Sequence, residues 1–230
     1  MRLDQFIASS MALTRREARL AIKAGRVQVD EALCKSGSIK IDSNTRITLD
    51  GQVCTLPGER YLMLNKPAGV VSATRDSDHP TALDLLPLEL SRNLHIAGRL
   101  DADTTGLLLL TTDGHWSHRI TSPRMACPKT YRVTLSSPLS ERSVQELEQG
   151  VLLRNDPVPT KPAQIKQLKD CIIELTISEG RYHQVKRMLA ATGNHVEALH
   201  RIRIGEIVLD PELQPGHYRA LTEEEISTVA

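Results

Sequence analysis

The segment from His95 to Thr112, HIAGRLDADTTGLLLLTT, places two aspartates directly before an apolar run of strand length. Leu107–Leu110, bounded by Gly and Thr, predict a buried strand. A buried strand fixes the turn before it, so Asp101 or Asp103 is expected to point into a cleft, where a carboxylate can act as a nucleophile. From these residues alone, the alternative is that the aspartates cap a turn and that Arg99 pairs with one of them.

A tyrosine and a basic helix supply further groups. In KTYRV, residues 129–133, Tyr131 alternates with apolar residues along a predicted strand, and such a tyrosine taken alone is usually a core residue. In SEGRYHQVKRMLAATG, residues 178–193, a glycine turn leads into a helix. Arg181 and Lys186 can flank a phosphate near the start of that helix. A cation placed beside a catalytic aspartate would keep the carboxylate ionised.

These motifs resemble those of the pseudouridine synthases, in the branch that modifies the small ribosomal subunit. GRLDADTTGLLLLT is similar to the catalytic-aspartate motif, whose nucleophile corresponds to Asp101. KTY is similar to the K-x-Y motif, whose tyrosine packs against the target uracil and is a proposed proton acceptor, here Tyr131. GRYHQVKRM is similar to the motif that supplies the charge partner of the aspartate. The matching residue is Lys186, where many members carry arginine with its bidentate fork.

The resemblance implies an isomerase. The bond from N1 of uracil to C1′ must break, the trapped ring must turn, and C5 must bond to C1′. Asp101, Lys186 and Tyr131 would supply the carboxylate, the cation and the aromatic wall. Three routes fit these roles: addition of the aspartate at C1′, addition to the pyrimidine ring, or an elimination. No redox change or external group enters, so neither a cofactor nor a metal is expected.

The target nucleotide must leave its stack, and Arg99, two residues before Asp101, is the candidate to fill the vacated place. An ion pair of Arg99 with a neighbouring carboxylate is the alternative. Asp103 is expected to organise the loop rather than to react.

Two other polar features are expected to have no chemical role. LNKPAGVV resembles the first motif of the same branch, but its Lys66-Pro-x-Gly turn is explained by the backbone preferences of Pro and Gly. His115 and His118 in HWSHR have helical spacing but no third ligand nearby, which favours surface or packing positions over a metal site.

The first 26 residues are strongly basic, although the whole chain carries a net charge of only +1. Six basic residues stand against two acidic ones, a local net charge of +4. This asymmetry predicts a polyanionic partner, with an unpartnered solvated face as the alternative. The basic residues are Arg2, Arg15, Arg16, Arg19, Lys23 and Arg26.

The N-terminal pattern predicts two helices followed by short strands. Thr14 is a candidate N-cap with Glu17 three residues on, and Gly25 ends the second helix. This order, with TRREARLAIKAGRVQVD, resembles the S4 RNA-binding domain over about 50 residues. Aromatic side chains are scarce here, so RNA shape and phosphates are the expected targets. Half-buried strands are predicted at 27–29, 39–41 and 47–49.

The resulting fold class is α+β. A small S4-like α/β domain, 1–54, is followed by a linker, 55–60, and a catalytic domain, 61–230, for which the resemblance implies a bent, mixed, largely antiparallel sheet flanked by helices. Strands are predicted at 61–65, 106–112, 130–136, 163–168 and 171–178, and helices near 81–86, 115–120, 140–149 and 183–191.

The sequence also excludes several classes. Cys34, Cys54, Cys127 and Cys171 form no CxxC pair and have no histidine at zinc spacing, so reduced, partly buried thiols are expected. No apolar segment approaches the roughly 20 residues of a membrane span, and MRLDQFIASS has no h-region. We expect a cytoplasmic monomer with no membrane partner.

The resemblance extends over nearly the whole chain and implies 16S ribosomal RNA as the partner, within a small-subunit assembly intermediate, and uridine 516 as the target. One alternative is a paralogue that modifies a large-subunit uridine. The alternative from a different class is a non-catalytic RNA-binding or ribosome assembly factor. The intact set of Asp101, Tyr131 and Lys186 argues against that factor, because a binding protein needs no ionised carboxylate facing RNA.

Overall fold

The computed structural model describes residues 1–42, 45–56 and 58–229. It divides the chain into two compact units, Met1–Gly58 and Glu59–Ala230. The division falls inside the segment predicted to be a linker, 55–60, of which Pro57 lies outside the described residues. The domain limits 1–54 and 61–230 stay a prediction. Within the described chain, no helix has the length and apolar character of a bilayer span.

The first unit packs two helices against a small sheet. Thr14 and Glu17 form the predicted capping box, in which the Thr14 side chain accepts from the Glu17 N–H. Gly25 follows the second helix at φ +72°, a conformation that glycine adopts without strain. The elements are α1 (Leu3–Ser10), α2 (Arg15–Lys23), β1 (Val27–Val29), β2 (Ala32–Leu33), β3 (Ile47–Leu49) and β4 (Gln52–Val53).

The sheet of the first unit is antiparallel, in the order β2-β1-β3-β4. Its core contains Leu3, Ile7, Ile22, Val27 and Ile47, all essentially inaccessible. The strand predicted at 39–41 is wrong, because this segment forms only an isolated bridge between Lys40 and Arg2. The apolar residues of this segment still bury Ile41, although the segment is not a strand of the sheet.

The second unit contains a nine-stranded sheet and five helices among the described residues. A 3-10 turn at Ala82–Leu85 precedes the first of these helices. The elements are β5 (Tyr61–Lys66), α3 (Leu88–Ser91), β6 (His95–Ala97), β7 (Thr105–Thr111), α4 (Gly114–Thr121), β8 (Lys129–Leu135), α5 (Glu141–Gln149), β9 (Gln164–Lys169), β10 (Ile172–Ile177), α6 (Gln184–Ala191), β11 (Val196–Ile204), β12 (Ile207–Val208), β13 (Tyr218–Ala220) and α7 (Glu223–Ser227).

The strand order is β13-β5-β7-β11-β8-β10-β9, with β6 paired to β7 and β12 to β11. Only the pairing of β11 with β7 is parallel among those described. The sheet is therefore mixed and largely antiparallel, and the α+β class is confirmed.

Both faces of the central strands are covered, which explains the unbroken leucine run. Leu108 and Leu110 face one apolar core, and Leu107 and Leu109 face the other. Trp116 on α4 packs in the second of these cores. The strand following the aspartates is therefore rigid on both sides.

Gly106 allows β7 and β11 to approach each other. Its φ is +100°, and a Cβ at this position would lie 2.3 Å from the carbonyl oxygen of Arg201 on β11. No larger side chain fits so close to a backbone atom. The glycine of the GRLDADTTGLLLLT motif thus fixes the chain leaving Asp101 against β11.

The strands and helices predicted from 61 to 191 agree with the structure to within about two residues at each end. β11 was not predicted, although it is the longest described strand and lies in the middle of the sheet. Its sequence, VEALHRIRI, interrupts the apolar alternation with charged residues. One of these, Arg201, is buried in the second unit.

Candidate active site

A cleft of about 760 Å³ lies in the second unit. Its walls come from the turn before β7, from β8, from the turn between β10 and α6, and from β11. Asp101, Tyr131 and Lys186, which are far apart in sequence, all line it. Arg99 and Arg181 line it as well.

The turn that carries Asp101 is held by hydrogen bonds to its backbone on both sides. The Leu100 N–H donates to the Ser72 hydroxyl at 3.0 Å, and the Gly69 N–H donates to the Ala102 carbonyl at 2.8 Å. The Thr104 N–H closes the turn on the Asp101 carbonyl at 3.1 Å. The Asp101 side chain, 32% exposed, is presented to the cleft by a fixed backbone.

Lys66 ties the Lys-Pro turn to this aspartate turn. Its ammonium, on a fully buried residue, donates to the carbonyls of Pro67 at 2.8 Å, Val70 at 2.6 Å and Ala102 at 3.2 Å. Burial lowers the pKa of Lys66 from 10.5 to about 8, and the charges of Asp103 and Asp101 oppose this shift. The lysine therefore has a positioning role, which turn preferences alone did not reveal.

Lys186 contacts both aspartates of the motif. Its Nζ lies 2.6 and 2.7 Å from the two Asp103 carboxylate oxygens and 3.7 Å from Oδ2 of Asp101. The hydrogen bond from Lys186 lowers the pKa of Asp103 below its usual range. The predicted pairing with Asp101 is thus the longer of two contacts, and the nearer one is with the loop aspartate.

His183 is a further neighbour of Asp101. Its Nε2 lies 3.5 Å from Oδ1 of Asp101, so the carboxylate faces Lys186 through one oxygen and His183 through the other. His183 has a left-handed backbone with φ +49°, a conformation uncommon for residues other than glycine. Directly before α6, this conformation directs the ring toward the aspartate turn.

Tyr131 forms part of the cleft wall and is 9% exposed. Arg201, 1% exposed, lies beneath it, with its guanidinium carbon 5.9 Å from the ring centroid and Nη1 3.5 Å from the hydroxyl. Arg201 also donates to the carbonyls of Leu107 at 2.8 Å and Gly98 at 2.7 Å. This buried cation joins the tyrosine strand to the segment leading into Asp101.

Arg99 and Arg181 differ in their freedom. Arg99 is exposed, and no carboxylate of the described residues pairs with it. Arg181 is engaged by protein groups, since it donates to the carbonyls of Val158 and Pro159, both at 2.7 Å, and pairs with Glu179 at 3.3 Å. A role for Arg181 in binding phosphate stays a prediction. To bind phosphate, the guanidinium would have to share or give up these protein partners.

The basic residues of the first unit surround a buried carboxylate. Asp4 is fully buried and pairs with Arg2 at 3.0 Å, Arg15 at 3.3 Å and Arg19 at 2.8 Å. These arginines hold the pKa of Asp4 well below its usual range, with the Arg2 hydrogen bond the largest cause. The three guanidiniums, each about half exposed, are therefore fixed at the surface as an arginine cluster around Asp4.

The other three basic residues differ among themselves. Arg26 forms an ion pair with Asp50. Arg16 and Lys23 are exposed and line the same basic groove as Arg19. Lys35, which was not among the predicted basic residues, lines this groove as well. Neither Arg16 nor Lys23 pairs with a carboxylate of the described residues.

No metal cluster is formed by the described His, Cys, Asp and Glu side chains. His115 and His118 both lie on α4 and are exposed, as their surface interpretation requires.

Comparison with known proteins bears directly on this cleft. Residues 60–191, which contain the aspartate, tyrosine and lysine motifs, match the RNA pseudouridylate synthase family. The chain belongs to this family. It is therefore a pseudouridine synthase, an isomerase. Residues 1–47 match the S4 domain.

Relatives of this synthase align along its full length. A ribosomal small subunit pseudouridine synthase A from Yersinia pestis is 51% identical over 230 residues, covering 100% of this chain and 98% of the relative. The protein of the same name from Escherichia coli K12 is also 51% identical, with 100% of both chains covered. A crystal structure of a pseudouridylate synthase has a TM-score of 0.74 and 48% identity, covering 100% of both chains.

Sequence reasoning missed three functional candidates, two that line the cleft and one, Lys66, that lies behind the aspartate turn. Lys66 belongs to the LNKPAGVV motif, and a charged residue directly after the apolar strand YLMLN could have indicated its role. The position of His183, just after a glycine turn and at the start of a helix, could have indicated a site residue. Arg201 had none, because its burial follows from the unpredicted strand β11.

Proposed function

We propose that this synthase converts uridine 516 of 16S ribosomal RNA to pseudouridine, with Asp101 as the nucleophile. The names and full-length similarity of its relatives support the small-subunit substrate. We further propose that it acts in the cytoplasm as a monomer, on an intermediate of small-subunit assembly.

The observation that carries the assignment of Asp101 is its pair of contacts in the cleft, at 3.7 Å with Lys186 and 3.5 Å with His183. A carboxylate on a fixed turn, beside a cation and in the same cleft as a tyrosine, has what a displacement at the ribose requires. It can attack while ionised, and it does not have to be organised during the reaction.

The proposed reaction balances without an external group. Attack of Asp101 on C1′ breaks the bond to N1, and the uracil leaves with the bonding electrons. After the ring turns against Tyr131, C5 attacks C1′ and the carboxylate leaves. The Tyr131 hydroxyl then accepts the proton from C5 as it releases its own to solvent, and N1 takes a proton from solvent, so that no net proton is gained or lost. Addition to the ring or an elimination would use the same carboxylate.

The test compares Asp101→Asn with Asp103→Asn on RNA tritiated at C5 of uridine. The asparagine at 101 is similar in size but cannot act as a nucleophile, so tritium release is expected to cease while RNA binding stays near normal. Asp103→Asn is the matched control, because it removes the neighbouring carboxylate of the same turn and should keep measurable turnover. Turnover near the parental rate in Asp101→Asn would refute the nucleophile.

Mapping pseudouridine in ribosomal RNA from cells with and without the gene tests the substrate. Loss at uridine 516 alone is the expected result. Loss at a large-subunit uridine would identify a paralogue, and an unchanged map would refute uridine 516 as the target.

A further inference from the structure

Tyr182 is the aromatic residue that the fold leaves in solvent at the mouth of the cleft. It is 77% exposed, yet it belongs to the cleft wall. The chain has only six aromatic residues, and the other five pack into or against an apolar core. These five are Phe6, Tyr61, Trp116, Tyr131 and Tyr218. An exposed ring at an RNA-binding cleft is therefore an exception that calls for a ligand.

The exposed ring is held in place on one side. It stacks on the His183 ring, with 3.8 Å between centroids and 20° between planes. The carbonyl of Tyr182 accepts from Arg187 at 3.2 Å, and Arg187 also donates to the Arg154 carbonyl at 2.8 Å. His183 covers one face of Tyr182, and the high exposure leaves the other face open. A ring ordered in this way loses little conformational freedom when a base stacks on it.

This platform lies next to the proposed chemistry. His183, on which Tyr182 stacks, lies 3.5 Å from Asp101. When the target uridine leaves its stack, the neighbouring base loses a stacking partner. Lys186, three residues beyond His183, places a cation on the same side of the cleft. Aromatic side chains bind exposed bases of any sequence by stacking.

We propose that Tyr182, backed by His183, is a stacking platform for an unpaired RNA base adjacent to the target uridine. The adjacency rests on the proposed function, whereas the stacking itself does not. Tyr182 is a binding and positioning residue, and it takes no part in bond making.

The first test places a fluorescent ring on the platform. Tyr182→Trp is titrated with an RNA containing the 16S segment around uridine 516, and stacking is expected to quench the emission. The chain has one natural tryptophan, Trp116, which is 1% exposed and gives a constant background. Leu88→Trp is the matched control, since Leu88 is 67% exposed and lies outside the cleft wall. Equal quenching in both variants, or none at 182 under binding conditions, would overturn the platform.

The second test asks which base is bound. Tyr182→Ala should weaken RNA binding roughly 5- to 150-fold, and Tyr182→Phe should stay within about twofold of the parent. The RNA is then made abasic on the 5′ or the 3′ side of the target. On one side the abasic site and Tyr182→Ala should not be additive, because each removes the same stack. Additive losses on both sides would overturn the adjacency.

Tritium release from the parent protein separates the two proposals. Tritium release by the parent, with no quenching in Tyr182→Trp and no loss of RNA binding in Tyr182→Ala, would support the proposed reaction and reject the platform. Quenching at position 182 without release by the parent keeps an RNA-stacking ring and rejects the proposed reaction.

Discussion

Lys186 is expected to assist the reaction through its charge on Asp101, although its shorter contacts are with Asp103. A pair of unit charges about 4 Å apart is worth about 4 kcal/mol at an effective dielectric constant of 20. Lys186 and Asp101 are 3.7 Å apart, with side chains 26% and 32% exposed. Halving the value for solvent screening leaves about 2 kcal/mol, and because attack neutralises the carboxylate, the corresponding factor of about 30 is the upper limit of the loss in rate.

Lys186→Met is therefore expected to lower kcat by up to about 30-fold, and Lys186→Arg to retain appreciable activity. The assay is tritium release in single turnover at saturating enzyme, where loss of RNA affinity does not reduce the rate. A kcat within threefold of the parent, or a loss confined to KM, would refute a charge role at the reacting carboxylate.

Asp103 offers a second check on the same contact. If Lys186 served only to neutralise Asp103, then Asp103→Asn would restore the activity lost in Lys186→Met. We expect no such recovery in the double variant, because Asp101 still lacks its lysine. The interaction energy from this double-mutant cycle separates the two contacts of one lysine.

Two further perturbations test the surrounding structure. The pKa of about 8 for Lys66 predicts opposite pH trends. Between pH 8 and 10.5 the unfolded chain holds a proton that the folded chain has released, so folding stability from this group rises with pH, by up to about 3 kcal/mol. Over the same range kcat should fall, because a neutral amine has two N–H donors for three carbonyls; parallel rises in melting temperature and kcat would contradict this. In the first unit, replacing Arg16 and Lys23 with Gln should reduce the salt slope of RNA binding by about 1.4 to 1.8 without moving the urea midpoint. Arg19→Gln should lower the urea midpoint, since it removes a partner of the buried Asp4. Equal midpoints in Arg19→Gln and the parent would show that the arginine cluster around Asp4 does not stabilise the fold.

Local patterns were sufficient wherever the controlling interactions lie close in sequence. The capping box of Thr14 and Glu17 predicted the start of α2, because both its hydrogen bonds lie within one turn. Leu107–Leu110 predicted β7, since a run without polar residues is stable only when both faces are covered. The motif around Asp101 indicated the family, which the match over residues 60–191 confirms.

The tertiary structure alone decided which groups meet at the cleft and what each one contacts. Arg201 reaches the Gly98 carbonyl and Tyr131 because β11 pairs in parallel with β7 and antiparallel with β8, a register that no local pattern encodes. Likewise, the nearest partner of Lys186 is Asp103, 83 positions earlier in the chain, because the fold brings α6 next to the aspartate turn. Sequence specified the residue types and the family; long-range strand pairing and burial determined their distances, charges and exposure.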